Sequence, residues 1–364
     1  MKKRHWLKGL FILVLIVGFS CPAMAGKAKI IPGGPFVPPN QEVNLSAIMT
    51  FDKVEAELLK LEKRSKGLLE VDIAGYTQED RPLYIAKMGW GPVRMWIQGR
   101  IHGNEPFGND VCLELIKSLL SRDRKILEEM TLWIIPSYNP DGSERFWRGN
   151  ATPTRWDDDG NPTAGVDLNR NWWRTDGNDY SELESQAFYW AWADFKPHYA
   201  LDIHHQGTYF VEDEDGNDTN QMTTFSIGIP VWPEFLEEWV WDDSRRMAVA
   251  AFDATDALGF CNPTRYPLIN IHTAVVSSMM LGNPGPDGHD AGWVSASMFI
   301  ENRGGIGNKS RGKIIRQSVV AVHAIVDAIA YGDLSSVDPD RWDEIPDRGS
   351  SIRTDDKWPA EWAD

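Results

Sequence analysis

The run VRMWIQGRIHGNEPFGNDVCLELIKSLLS, residues 93–121, decides how the chain folds. Residues 93–98 are mostly apolar and stop at Gly99, the mark of a short buried strand. Residues 106–121 have helical spacing, with Cys112, Leu115, Ile116, Leu119 and Leu120 along one stripe. Between them sits His102-Gly103-Asn104-Glu105, at a strand exit and a helix entry. The same alternation continues outward. Residues 132–136, 199–203 and 298–300 are further strand-like runs, and 46–65, 182–195 and 313–331 are helical. Strands interleaved with helices predict an α/β fold: a single domain with a central mixed, largely parallel sheet flanked by helices.

His102 and Glu105, three residues apart around a turn, can both reach one divalent ion. Zinc accepts imidazole nitrogen and carboxylate oxygen, and a catalytic zinc takes three protein ligands and leaves a position open. Alone, the pair is a short motif of little weight. The third ligand is sought at another strand end, where functional residues of open α/β sheets collect. The strand 199–203 runs directly into His204-His205. Neighbouring side chains on a strand point to opposite faces, so one of the two is the ligand. His204 is preferred, with His205 as a wall of the pocket.

Six segments, in order, resemble the zinc carboxypeptidase family, the group that includes carboxypeptidases A and B. They are His102-Gly103-Asn104-Glu105, Asn139-Pro140-Asp141-Gly142, Arg145-Phe146-Trp147-Arg148, Gly165-Val166-Asp167-Leu168-Asn169-Arg170-Asn171, Leu201-Asp202-Ile203-His204 and Phe299-Ile300-Glu301-Asn302-Arg303-Gly304. The resemblance spans residues 46–331. It implies one zinc ion on His102, Glu105 and His204, with Asp167 supporting a ligand histidine through a hydrogen bond. It implies Glu301 as general base. Arg148, in competition with Arg145, is implied as the stabiliser of the developing oxyanion. Asn169 and Arg170 are implied to grip the free C-terminal carboxylate of a peptide substrate, a task suited to the planar guanidinium fork. The implied activity is hydrolysis of the C-terminal peptide bond. Digestive members carry a mobile tyrosine upstream of the catalytic glutamate. This chain has none between Ile269 and Glu301, and Tyr266 is the nearest. The corresponding stretch holds His289 and Asp290, either of which is placed to face the substrate side chain; an aspartate there favours a basic residue.

The rest of the sequence bounds this reading. Lys2, Lys3 and Arg4, an apolar run over 10–17 and Ala23-Met24-Ala25 form a signal peptide over 1–25, so an exported, periplasmic or secreted protein is expected. An irregular lead-in, 26–44, precedes a catalytic domain over 45–334 and an acidic polar tail over 335–364. After signal removal no membrane span is expected. The stretch 208–241 reads as an acidic, aromatic insertion. A net charge of −16 argues against nucleic acid as a partner. Asp157-Asp158-Asp159-Gly160 and Asp213-Glu214-Asp215-Gly216 read as solvated turns, because neither has the bidentate glutamate of a calcium loop. Cys112 reads as a buried free thiol, and its pairing with Cys261 is left open. Three other functions share these motifs: an exported amidase or peptidase of cell-wall stem peptides, a deacylase of small N-acyl substrates, and a catalytically silent peptide-binding module.

Overall fold

The computed structural model describes residues 45–122, 124–171, 181–231, 237–267, 269–270, 293–304 and 311–351. Residues 1–44, on which the expected signal peptide and lead-in fall, and His289 and Asp290 lie outside them.

Eight strands form the main sheet: β1 (Leu69–Tyr76), β2 (Pro82–Met88), β3 (Val93–Gly99), β4 (Met130–Ile135), β5 (Tyr199–Gln206), β6 (Phe225–Gly228), β7 (Pro263–Arg265) and β8 (Ala296–Arg303). Their spatial order is β1-β2-β4-β3-β5-β8-β6-β7. The centre, β4-β3-β5-β8, is parallel throughout. The β1–β2–β4 side and the β8–β6 pair are antiparallel, while β6–β7 is parallel. The sheet is therefore mixed and largely parallel at its core, as the sequence predicts.

Helices cover both faces. On one side lie α1 (Phe51–Arg64), α2 (Gly108–Ser121), α6 (Glu238–Asp256) and α7 (Arg311–Tyr331); on the other lies α5 (Leu183–Phe195). Two short helices, α3 (Lys125–Glu129) and α4 (Pro140–Arg145), occupy connections. Strand alternation sorts the side chains. Met95 and Ile97 of β3, Leu201 and Ile203 of β5, and Met298 and Ile300 of β8 join the larger core under α2, α6 and α7. Trp96 and Ala200, one residue out of phase, pack with Phe188, Trp192 and Phe195 of α5. Asp202, His204 and Glu301 share this second phase, so the polar groups at the sheet's C-terminal ends face away from the larger core.

α7 has the length and hydropathy of a membrane span. Its Ile314, Ala321, Val322, Ile325 and Val326 are buried in the domain core, so in this fold it is a core helix. Cys112 and Cys261 are both buried and are not joined in a disulfide; Cys112 Sγ lies 3.7 Å from the Ile135 carbonyl and Cys261 Sγ 3.5 Å from Gln317 Oε1.

Two sequence expectations are corrected. The stretch 208–241 is not one insertion. Residues 209–222 form a hairpin at the periphery, but Phe225–Gly228 is fully buried as β6 between β8 and β7. The tail also does not separate at 334. Trp342 and Ile345 are 5% and 2% exposed and belong to the larger core, and Arg348–Ser351 pairs with Tyr209–Glu212.

Candidate metal centre

The loop leaving β3 carries the first two candidate ligands, and its shape is fixed by backbone contacts. Tyr138 N–H donates to the Gly99 carbonyl and Asn139 N–H to the Arg100 carbonyl, so the exits of β3 and β4 are laced together. The Asn139 side chain caps α4 by accepting from Gly142 N–H at 2.9 Å, and its amide donates to the Ile101 carbonyl at 3.2 Å. Arg100 takes a left-handed φ of 58° and is 1% exposed; its guanidinium donates to the carbonyls of Gly103 and Met49. A ladder of glycines lets these loops touch through bare backbone. A Cβ on Gly103 would stand 2.1 Å from the Gly142 carbonyl carbon. One on Gly142 would stand 2.2 Å from the Gly149 oxygen, and one on Gly149 2.3 Å from Gly165.

Held this way, His102 and Glu105 meet His204 from the end of β5. One ligand atom from each of the three lies within 4.8 Å of the others, and all three residues are buried. His102 Nδ1 is 2.6 Å from Glu105 Oε1, and His204 Nδ1 is 3.1 Å from Glu105 Oε2. The two imidazoles therefore turn the same nitrogen toward a shared point. Their other nitrogens are backed by carboxylates, His102 Nε2 by Asp167 Oδ1 at 3.2 Å and His204 Nε2 by Asp202 Oδ2 at 2.8 Å. Such backing fixes the tautomer and orientation of a metal-ligating histidine. His205 points elsewhere. Its backbone N–H donates to Glu105 Oε2 at 3.0 Å, its ring packs 5.4 Å from that of Phe107, and burial pushes its pKa down to about 4.

The electrostatics suit a cation. Burial opposes ionisation of Glu105, yet the adjacent His102 and His204 hold its carboxyl well below the usual range. Burial likewise opposes a charge on His204, but Asp202 and Glu105 raise its pKa well above that of a free imidazole. A field that draws a proton this strongly also favours a divalent ion, and two imidazole nitrogens plus a carboxylate are a zinc-type donor set. These residues fit the metal that the sequence implies.

Arg148 and Arg145 part company here. Arg145 pairs with Glu79. Arg148 Nε donates to Asp167 Oδ2 at 2.9 Å, and its Nη1 is 3.9 Å from Glu105 Oε1. Burial disfavours the Arg148 cation, but the carboxylates of Asp167, Glu105 and Glu301 together raise its pKa. Glu301 thus belongs to the same centre. Its backbone stands in register with His204 across the parallel β5–β8 pair, on the same face. Asp167 also caps the 3-10 turn Leu168–Arg170 by accepting from Asn169 N–H at 2.9 Å. That turn leaves Asn169 6% exposed and Arg170 open to solvent, with Arg170 Nη1 on the Asn169 carbonyl. Tyr266 is half-buried, edge-on to Phe299 at 5.1 Å; Phe299 in turn is edge-on to His204.

Sequence reasoning assigned no role to Asp202. The signal was available: two residues before His204 on a strand is the same face.

The zinc carboxypeptidase family model matches residues 54–193, a stretch that includes His102, Glu105, Arg148, Asp167, Asn169 and Arg170 and ends before His204 and Glu301. Carboxypeptidase 2 of Trichophyton rubrum is 35% identical over 118 residues, 31% of this chain and 18% of its own length. Carboxypeptidase A6 of Mus musculus is 29% identical over 147 residues, 36% of this chain and 33% of its own. The chain thus spans a third or less of these relatives. Among solved structures, carboxypeptidase A from Helicoverpa armigera superposes with a TM-score of 0.59 at 19% identity, covering 79% of this chain and 75% of that one. Thrombin-activatable fibrinolysis inhibitor gives 0.58 at 17%, covering 82% and 81%. These superpositions establish a shared fold.

Proposed function

With residues 54–193 matching the zinc carboxypeptidase family, we propose that this chain is an exported, zinc-dependent carboxypeptidase that hydrolyses the C-terminal bond of peptides. One observation carries the reading: His102, Glu105 and His204 converge on a point beside which Glu301 stands in strand register.

His102, Glu105 and His204 would hold the zinc ion, which when bound would supply Lewis acidity toward the scissile carbonyl and toward water near neutral pH. The chain's own residues do the remainder. Arg170, exposed at the tip of its turn, and Asn169 receive the terminal carboxylate of the peptide. Glu301 takes a proton from the attacking water as the new C–O bond forms, then delivers it to the departing amine nitrogen as the C–N bond breaks. Arg148, fixed by Asp167, presents its guanidinium to the oxygen on which negative charge develops.

The test is hydrolysis of blocked dipeptides varied at the terminal residue, with and without chelator, alongside metal analysis of the purified protein. Cleavage should require zinc and a free terminal carboxylate. Equal cleavage of C-terminally amidated peptides would refute exopeptidase action. A clear preference for muropeptides over simple peptides would move the reading to cell-wall stem peptides. Export is tested by N-terminal sequencing of the mature protein, which should begin near Gly26.

A further inference from the structure

The chain beyond α7 returns to the site as a strap. Trp342 and Ile345 anchor it in the core, and several of its charges form ion pairs. Arg341 pairs with Asp253, Arg245 with Asp340, and Arg265 with Asp343 and Asp347. Arg348, the strap's other described arginine, is placed differently. Its guanidinium lies 3.8 Å from the ring centroid of Tyr209 and 4.0 Å from that of Tyr266, and it donates from Nη1 to Gln206 Oε1 at 2.7 Å. Among the described residues no carboxylate pairs with it, and its Nε is buried without an acceptor. Among the described residues it is a cation without an acidic partner, in a chain of net charge −16. The side chain is nevertheless partly exposed.

Its position ties it to the metal centre. Gln206 follows His204 by two residues on β5 and so shares its face. The Gln206 amide donates to Ser226 Oγ at 2.8 Å, and Ser226 stands in register with Glu301. Tyr266, beneath the guanidinium, touches Phe299, which touches His204. A guanidinium stacked between two aromatic rings is held in one orientation; with Nη1 on Gln206 and Nε buried, Nη2 is the group left to meet an anion.

We propose that Arg348 is a specificity-determining residue of this site, receiving an acidic side chain of the peptide within a residue of the scissile bond. The inference rests on the carboxypeptidase reading and differs from the expectation that Asp290 selects a basic residue. It predicts that the preferred substrates are acidic.

The experiment uses the full zinc-loaded protein and blocked peptides carrying Glu, Gln, Leu or Lys at the last two positions in turn. At one of those positions the Glu peptide should exceed its Gln isostere by about tenfold in kcat/KM, the increment of one charge-assisted contact. Arg348→Met should bring that ratio to about one by slowing the Glu peptide selectively, and Arg348→Lys should keep part of the preference. A second readout is binding of the same peptides to the Glu301→Gln variant by calorimetry, which should show the same Glu-over-Gln ratio and the same dependence on Arg348. A wild-type ratio near one, or a preference for Lys, overturns the proposal. So does an Arg348→Met variant that slows every peptide alike, which would make the residue a structural clip. If wild type cleaves nothing but still binds Glu over Gln through Arg348, the carboxypeptidase reading fails and this one stands; if it neither cleaves nor discriminates in binding, both fail.

Discussion

Two buried clusters of acid stand back to back across one loop, and they are built for opposite ends. Arg148 faces the first, where Glu105, Asp167 and Asp202 surround two histidines. Asn150, two residues later, faces the second, where Glu182 and Glu184 are 5% and 0% exposed. In the second cluster the acids meet neutral donors. Glu182 Oε2 accepts from Gln78 at 2.9 Å, from Asn150 at 2.8 Å and from the Thr152 hydroxyl, while Glu184 Oε2 accepts from the same Asn150 amide at 3.1 Å. With no cation among their described partners, burial, helped by the charges of Asp141 and Glu182, pushes Glu184 up to about 7, toward the protonated acid. In the first cluster burial loses to the histidines and Arg148, and Glu105 and Asp167 are held ionised. Burial of carboxylates therefore does not mark a reactive centre; the partners do. One cluster concentrates charge, and the other removes it.

The sharpest way to break this contrast is Glu301→Gln. It should lower kcat by about a thousandfold, the range of a lost general base, while zinc content measured by elemental analysis stays at that of wild type. Unchanged turnover would remove Glu301 from the mechanism. Next in size, Asp167→Asn and Asp202→Asn should each weaken zinc affinity by about 10- to 100-fold in competition with a chelator, because each leaves a ligand imidazole without its anchor. Asn150→Ala should do the reverse. Leaving two buried carboxylates without their shared donor should cost about 1–3 kcal/mol in denaturant unfolding, with zinc affinity untouched. If Asn150→Ala instead released zinc, the two clusters would be one network. The same cluster also sets a pH dependence. Glu184 titrates at 4.5 unfolded and at about 7 folded, so between those values the native state holds more protons than the unfolded. Its contribution is complete below about 4.5 and is lost as pH rises to about 7. Glu184→Gln should flatten that part of the stability profile measured by thermal unfolding.

Much of the metal centre could be read before any coordinates. A strand end, a turn and a helix start bring His102 and Glu105 together locally, and a second strand end supplies His204. The signal of each is carried by contiguous residues. What stayed hidden depends on pairing over distance. β1 and β2 sit at the sheet edge, where alternation is blurred by charged residues such as Glu70, Asp72 and Lys87. β6 is four residues long and buried by neighbours 38 and 71 to 77 positions downstream, so its surrounding acidic turns dominated the reading. The tail looked polar because two of its core contacts, Trp342 and Ile345, are isolated among charged residues that pair with α6. The Glu182–Glu184 cluster left no signature, since its donors come from Gln78, Asn150 and Thr152, far apart in the chain.

The glycine ladder from Gly103 through Gly142 and Gly149 to Gly165 has a consequence for how this centre can change over generations. Where loops meet through side chains, a larger residue on one side can be answered by a smaller one on the other. Here there is nothing left to shrink. Each rung is already at the lower limit of size, so no compensating partner exists, and a library randomised at these four codons should return glycine alone among active clones. Diversification of the pocket is left to its far rim, which the later strands and the returning strap build from ordinary side chains.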